Sequence, residues 1–482
     1  MIKNKDSYKW WVLITVSISN LLATVDISVL GACLPHFAET FQTDSSVISW
    51  VIIAYFIMSQ SIMLTFSKIA DVKGRKKIFI IAISIYCLGL LIASLSQSIF
   101  QLIFSRIVQG AAGATINALA LAITVAIFPS DERGKALGIV MGTSSIGLVS
   151  GPAFGGIILD FLGWKAVFYT RIPFMIISLI IAWAILEEQK RYDSQSFKFD
   201  LIGSITLFGW LTCFLLLLSL SSRWSFFSAP SLLLVTMTVI LFIIFLIWEN
   251  RTTEPIIDLR LFKNRVFSLA TLTCIIATMG TSSTSFLIPF YLMEGFGSSG
   301  TEVSFYLVCM ATPSILVSPL SGRLSDKIGT LLLTTIAIII SSVGLLFLIQ
   351  MDMEKNIIFL FIGVVLIGTG IATFHPPNNS AIVGSVSKDM LGVASAIGAG
   401  SRNIGASIST SISGVLYSAY KSSHLANLLH DGFDSVIAEK IAAVSSFSDT
   451  ITVTFIFTLI AIVTSLLRGP VKRDSSLPNF IR

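Results

Sequence analysis

The stretch GIVMGTSSIGLVSGPAFGG, residues 138–156, decides how this chain folds. It is apolar and helix-length, with Gly147, Gly151 and Gly155 recurring every four residues and Pro152 interrupting them. Residues four apart share one helix face, so the spacing predicts a smooth stripe on which a second backbone can lie closely. Proline removes one helical hydrogen bond and predicts a kink. In lipid such a stripe drives helix association, although a bare small-residue stripe also suits ordinary packing.

Composition places this helix in a bilayer. Of the 482 residues, 54% are hydrophobic and 12% charged, too few polar side chains to cover a water-facing globule. A spanning helix needs about twenty apolar residues. Fourteen such stretches begin near Trp10, Val47, Ile78, Phe100, Ala136, Ala166, Leu201, Ser231, Val266, Val303, Leu331, Ile357, Gly392 and Ile451. Lysine and arginine test that count, because cytoplasmic loops carry their excess. With the N-terminus inside, five of the 32 fall on outer segments (Lys165, Arg223, Lys355, Lys421, Lys440) and three within spans; the rest are cytoplasmic. Both termini are therefore expected in the cytoplasm of a multi-pass cell-membrane protein. Richness in Ile, Lys, Asn and Ser points to an AT-rich bacterial source.

The net charge of +6 reflects this topology, since the basic residues are scattered over loops such as KGRKK at 73–77. No nucleic-acid partner is expected. The cysteines (Cys33, Cys87, Cys213, Cys274, Cys309) stand singly, without CxxC spacing, and read as packing residues. The chain carries no HExxH, GxSxG or P-loop and no clustered metal ligands, so neither an enzyme nor a metal or cofactor is expected. Trp10 and Trp11 read as interfacial anchors of an uncleaved first span.

The chain also repeats itself. SKIADVKGRKK at 67–77 has a partner in GRLSDKIGT at 322–330, each following a span. The copies are in register as two six-helix halves only if the seventh and eighth spans are an insertion. The expected fold is an all-α membrane protein of fourteen transmembrane helices. Residues 1–190 form one six-helix bundle, 191–262 a linker with two added helices, 263–470 the second bundle and 471–482 a cytoplasmic tail. A substrate site belongs between such halves near the midplane. The outer segment from Ser418 to Asp449 reads as the longest connection. Within it DSVIAEKIAAV suggests a short amphipathic helix begun by Asp434, either a cap over the mouth or a solvated loop.

Several stretches resemble the major facilitator superfamily, and within it the fourteen-span drug:proton antiporter branch. They are LLATVDISVLGACLP at 21–35, the two loop copies, RIVQG at 106–110, the Gly-Pro helix with Gly138, Gly147, Gly151-Pro152 and Gly155-Gly156, EPIIDLRLFKNRVF at 254–267 and PPNNSAIVG at 376–384. The resemblance covers nearly the whole chain. It implies a major facilitator fold and proton-driven export of small amphipathic compounds, such as drugs and lipophilic cations, by a monomer in the bilayer. Three departures stand out: Ser67 replaces the glycine that usually starts the loop motif, Arg171 a common asparagine, and His375 a common glutamine. Export of a specific metabolite, lipid or anionic antibiotic is the alternative cargo reading. A transport-inactive sensor or scaffold is the alternative of another class.

Asp26 is the one carboxylate read as deep in a span, where a charge is costly unless paired, hydrated or protonated. Burial favours the protonated acid and a nearby cation the ionised one, so alternation between them loads and releases a proton. A permanent salt bridge is the static alternative. At about 1.5 Å per residue and a core of about 30 Å, Arg106 falls at a similar depth; the resemblance implies that this arginine of RxxQG handles the proton, and a buried strut is the alternative. Gln109 belongs to the same RxxQG run. Arg171 enters from outside and either selects an anionic or zwitterionic substrate, attracts the carboxylate when Arg106 leaves, or snorkels to headgroups.

The loop residues Asp71, Gly74 and Arg75, with Gly322 and Asp326, sit at the inner edge, where they can latch helices in one state and release them in the other; the resemblance implies this gating role. Static pairing and positive-inside topology explain Lys73, Lys76 and Lys77. In the C-terminal half His375, Asn378, Asn379 and Arg402 are candidate cavity groups, His375 either titrating near neutral pH or structural. Trp50, Tyr55, Phe286, Phe290 and Tyr291 are aromatics available to stack on a flat cation.

Overall fold

The computed structural model describes residues 5–129, 132–187, 200–220, 228–252, 255, 257, 259–354, 356–386 and 391–469. The predicted boundaries 190–191 and the tail 471–482 lie outside them. The described residues form helices joined by short turns. Side chains mark several of the starts: Ser98, Ser228, Asn264, Ser299, Asn356 and Asp434 each accept a backbone N–H of the first turn.

Among the described residues, twelve helices are long and apolar enough to cross a membrane. The outward surface is apolar to match, with Phe100, Phe161 and Trp183 exposed. Two expected spans are not among the twelve. Of Trp50–Lys73 only the part up to Ser59 joins an apolar stretch among the described residues, Ser45–Ser59, and Leu391–His430, forty residues long, is interrupted by Ser, Gly, Arg402 and Lys421. Both nevertheless pack as full-length helices within the bundles.

The Gly-Pro stretch lies in one helix, Arg133–Leu162, with Pro152 inside it. Its stripe runs along the first helix, Lys5–Val29. A methyl group at Gly147 would press on the Leu21 carbonyl and Thr24, at Gly151 on Ser28 Oγ and the Val25 carbonyl, and at Gly155 on the Val29 carbonyl. Hydrogen at these three positions therefore sets how closely the helix carrying Asp26 is held.

The repeat has a geometric counterpart. Trp50–Lys73 and Pro313–Ile328 each end at a glycine with positive φ, Gly74 (103°) and Gly329 (89°), before the next helix starts at once. The helices Leu201–Leu220 and Ala229–Arg251 pack on one another. Leu207, Leu211 and Leu215 of the first cluster with Ile53 and Ile57 from the N-terminal part of the chain and with Ile404 and Ile408 from the C-terminal part, so this pair lies across the seam between them.

The outer connection differs from its expected form. Leu391–His430 continues to His430, a tight turn passes through Gly432 (φ 84°), and Asp434 caps Ser435–Leu467, which runs unbroken into the last span. The amphipathic segment is thus the first turns of that span. The separate short helix is a correction the apolar pattern hid, because polar residues at Ser435–Asp449 continue the same hydrogen-bonded ladder.

The halves meet at one end. Asp160 Oδ1 accepts from Gly300 N at 2.7 Å and Oδ2 from Thr301 N at 2.8 Å and from the Thr301 hydroxyl at 2.5 Å. Gly156 lies against the Gly300 carbonyl, and Ser45 Oγ donates to the Gly414 carbonyl at 2.9 Å. At the opposite end of the Gly-Pro helix, Gly138 and Gly142 have no neighbouring atom within 4 Å of a would-be Cβ.

Candidate functional site

Asp26 is fully buried, one turn before the first helix ends. Its Oδ2 accepts from Arg106 Nη1 at 2.6 Å and its Oδ1 from Arg171 Nη1. Arg106 projects from Ile99–Ile127; its Nε donates to the Val51 carbonyl at 3.1 Å and its Nη1 also to Gln109 Oε1. Its guanidinium carbon lies 4.6 Å from the centre of the Tyr55 ring. Arg171 sits between the short helix Ala166–Tyr169 and Ile172–Ile185, its Nε donating to the Val167 carbonyl at 2.7 Å. Three helices and a tight turn thereby hold one acid between two guanidinium groups.

A charge removed from water is tolerated when paired and hydrogen-bonded, which accounts for Asp26. It does not balance the cluster, which carries one positive charge in excess. Arg171 is 7% exposed, so it does not snorkel; the Phe168 ring covers it at 5.6 Å. Arg171 Nη2, Gln109 Nε2 and the Tyr86 hydroxyl are buried without a hydrogen-bond partner. Tyr86 reaches the cluster from Arg75–Ser94, and it and Tyr55 close on Gly113, where a Cβ would stand 2.6 Å from the Tyr55 hydroxyl. Sequence reading missed Tyr86, which carries no pattern beyond its position on a packed helix face.

The C-terminal candidates separate. Arg402 and Asn379 are exposed. His375 is half-buried, its ring edge-on to Phe374, and lines a small pocket with Thr278, Thr281 and Ser341. Asn378 is buried: its Nδ2 donates to the Ala270 carbonyl and its Oδ1 accepts from Arg468, both at 3.2 Å. Arg468 is a third buried arginine, which sequence reading took for a cytoplasmic loop charge. It also donates to the hydroxyls of Thr330 and Thr334 at 3.3 Å. Phe286 and Phe290 are buried against one another and Tyr417, and Tyr291 against Phe296 and Phe447, so none is free to stack on cargo.

In the loops, Arg75 Nη1 donates to the Ala122 carbonyl at 3.1 Å, tying the first copy to Ile99–Ile127. The side chains of Asp71 and Asp326 lie outside those described. Gly322 faces Pro376 at ordinary contact distance. Among the described residues no group of three or more His, Cys, Asp or Glu side chains is placed to hold a metal ion.

The family model of the Major Facilitator Superfamily matches residues 16–410 and, in a second placement, 269–474. Riboflavin transporter RibZ of Clostridioides difficile (strain 630) is 31% identical over 402 residues, 83% of this chain and 87% of its own length. Multidrug transporter protein MdtP of Bacillus subtilis (strain 168) is 26% identical over 438 residues, 91% and 80% of the two chains. A bacterial homologue of the human lysosomal transporter Spinster, crystallised inward-facing and unoccupied, shares the fold. Its TM-score is 0.68 at 15% identity, over 96% of this chain and 97% of that one. The chain belongs to the Major Facilitator Superfamily and is a multi-pass membrane transporter, not an enzyme.

Proposed function

We propose that this transporter is a proton-coupled exporter of small amphipathic compounds, working by alternating access with Asp26 and Arg106 as the coupling pair. The observation that carries the reading is a buried carboxylate on the first helix whose counter-charges arrive from other elements. Helices that shift against one another in a transport cycle change that pairing, and a carboxylate that loses a guanidinium takes up a proton. Inward proton flow supplies about 2.3 kcal/mol per charge per 100 mV to drive cargo outward. Relatives named for multidrug transport support the cargo class.

The reading includes fourteen transmembrane helices, counting Trp50–Lys73 and Leu391–His430, both termini in the cytoplasm of a bacterial cell, and a working monomer. The closed end formed by Asp160 and Gly300 is then the outer one, and the loops at Gly74 and Gly329 gate the inner end. Transport into inverted vesicles tests the coupling. Asp26→Asn should abolish pH-driven exchange of a lipophilic cationic dye while the protein still inserts and folds; unchanged exchange removes the assignment.

A second reading, a carrier for a specific metabolite or anionic compound, rests on Arg171, which leaves the site with excess positive charge. The relative named as a riboflavin transporter supports a single-metabolite cargo. Comparing Arg171→Asn on cationic and anionic probes separates the two: an unchanged spectrum removes the basis for the second.

A further inference from the structure

We propose that Arg171, with Gln109 and Tyr86, forms a subsite for an anionic group of the cargo, and that an anion seated there drives one proton onto Asp26 instead of displacing one. The inference deepens the second reading above and rests on it.

The donors come first. Arg171 Nη2, Gln109 Nε2 and the Tyr86 hydroxyl are three buried polar atoms without a partner, on residues 7%, 0% and 1% exposed. They belong to one cluster: Gln109 bonds Arg106, Arg106 stacks on Tyr55, and the rings of Tyr55 and Tyr86 meet at Gly113. Buried donors left unpaired are costly, and a carboxylate or phosphate is the group that satisfies several at once, pairing bidentately with a guanidinium. A lipophilic cation finds no vacancy here, because both Asp26 oxygens are already taken by arginine.

The sense of coupling follows from charge. Asp26 and an incoming anion are rivals for the same guanidinium. When the anion takes Arg171, Asp26 Oδ1 loses its donor, and a proton from solution takes that place, leaving Oδ2 on Arg106. The ionisable groups facing Asp26 are few. Arg106 and Arg171 pair with it, and Tyr55 and Tyr86 face it from two further helices. Cys33 is buried in the turn after the first helix, and Asp160 of the Gly-Pro helix is engaged by Gly300 and Thr301 at the closed end. Among the described residues no carboxylate other than Asp26 pairs with either arginine. Because linkage is reciprocal, acidification must tighten anion binding as much as the anion promotes protonation. A cation competing with the proton at Asp26 would show the opposite sign.

Titration calorimetry on the purified full-length protein in nanodiscs tests this, using a flat aryl carboxylate and its methyl ester in buffers of different ionisation heat. The wild type should take up about one proton per carboxylate bound at neutral pH and none with the ester. Asp26→Asn should keep carboxylate binding and lose the proton uptake. Arg171→Gln should weaken the carboxylate about tenfold or more and leave the ester within about twofold, since only the charged pair is lost. Proton release, zero uptake with bound carboxylate, equal effects of Arg171→Gln on both probes, or no carboxylate binding at millimolar concentration overturns the proposal. Failure of dye exchange in vesicles with proton uptake intact would remove the export reading alone.

Discussion

The two halves share an architecture and differ in how they bury polar groups. The N-terminal bundle concentrates its charge at one point, where Asp26, Arg106 and Arg171 meet under Tyr55 and Tyr86. The C-terminal bundle is held by neutral hydroxyls: Thr273 with Thr464, Ser342 with Thr458, and Thr334 and Thr335 with Ser465. Each bundle also buries an arginine, but Arg106 bonds a carboxylate and Arg468 only an amide and two hydroxyls. Ion pairs change strength with protonation and neutral hydroxyl pairs do not. The division therefore places the protonation-sensitive pairing in one bundle and the neutral pairing in the other.

Exchanging each arginine for glutamine is the sharpest way to break that comparison. Arg106→Gln removes one partner of a buried ion pair and the extra bond to the Val51 carbonyl; it should destabilise the protein by about 3 kcal/mol, toward the low end because Arg171 stays. Arg468→Gln removes bonds to neutral partners and should cost about 1 kcal/mol. Thermal melts of both variants in one detergent supply the check. Equal losses would mean that the charged cluster is no different in kind from the hydroxyl network.

The Gly-Pro helix sharpens the same point along its length. Gly151→Val would force a side chain onto Ser28 Oγ and the Val25 carbonyl, pushing the Asp26 helix away; a loss of about 2 kcal/mol is expected. At Gly142 a Cβ meets nothing within 4 Å, so Gly142→Ala should be neutral or stabilise by up to about 1 kcal/mol through helix propensity. If both substitutions behave alike in melting experiments, the stripe does not set the position of the first helix.

Much of this was readable from one dimension, and the rest was lost for identifiable reasons. Periodic glycine, the repeated loop and depth counting brought Asp26 and Arg106 to one level, because those signals depend only on spacing along helices. Arg171 carried three readings, since an arginine near a helix start looks the same whether it turns to lipid headgroups or inward. The choice is made by Val167 and Phe168, which hold it from within its own turn. Arg468 follows an apolar span and so resembled a topological charge; its burial depends on Asn378 and Thr330, which come from distant parts of the chain. The outer connection misled for the opposite reason, because hydropathy marks where lipid begins and not where a helix does.

The smallest effect expected is at the joint between the halves. Asp160, from the charged bundle, caps the first turn of Gly300–Ala311 in the neutral one, so a formal charge there meets the positive end of a helix dipole and not an arginine. The carboxylate is exposed, and water replaces it when it leaves. Asp160→Ala should therefore shift the balance toward opening of this end by about 1 kcal/mol, or about fivefold in population. Spin labels on cysteines replacing Lys165, in the turn after the Asp160 helix, and Glu302, in the turn that Asp160 caps, would read the shift as a longer distance component. An unchanged distance distribution would mean that apposition of Gly156 with Gly300 alone keeps the end shut, and that charge in this protein acts only at Asp26.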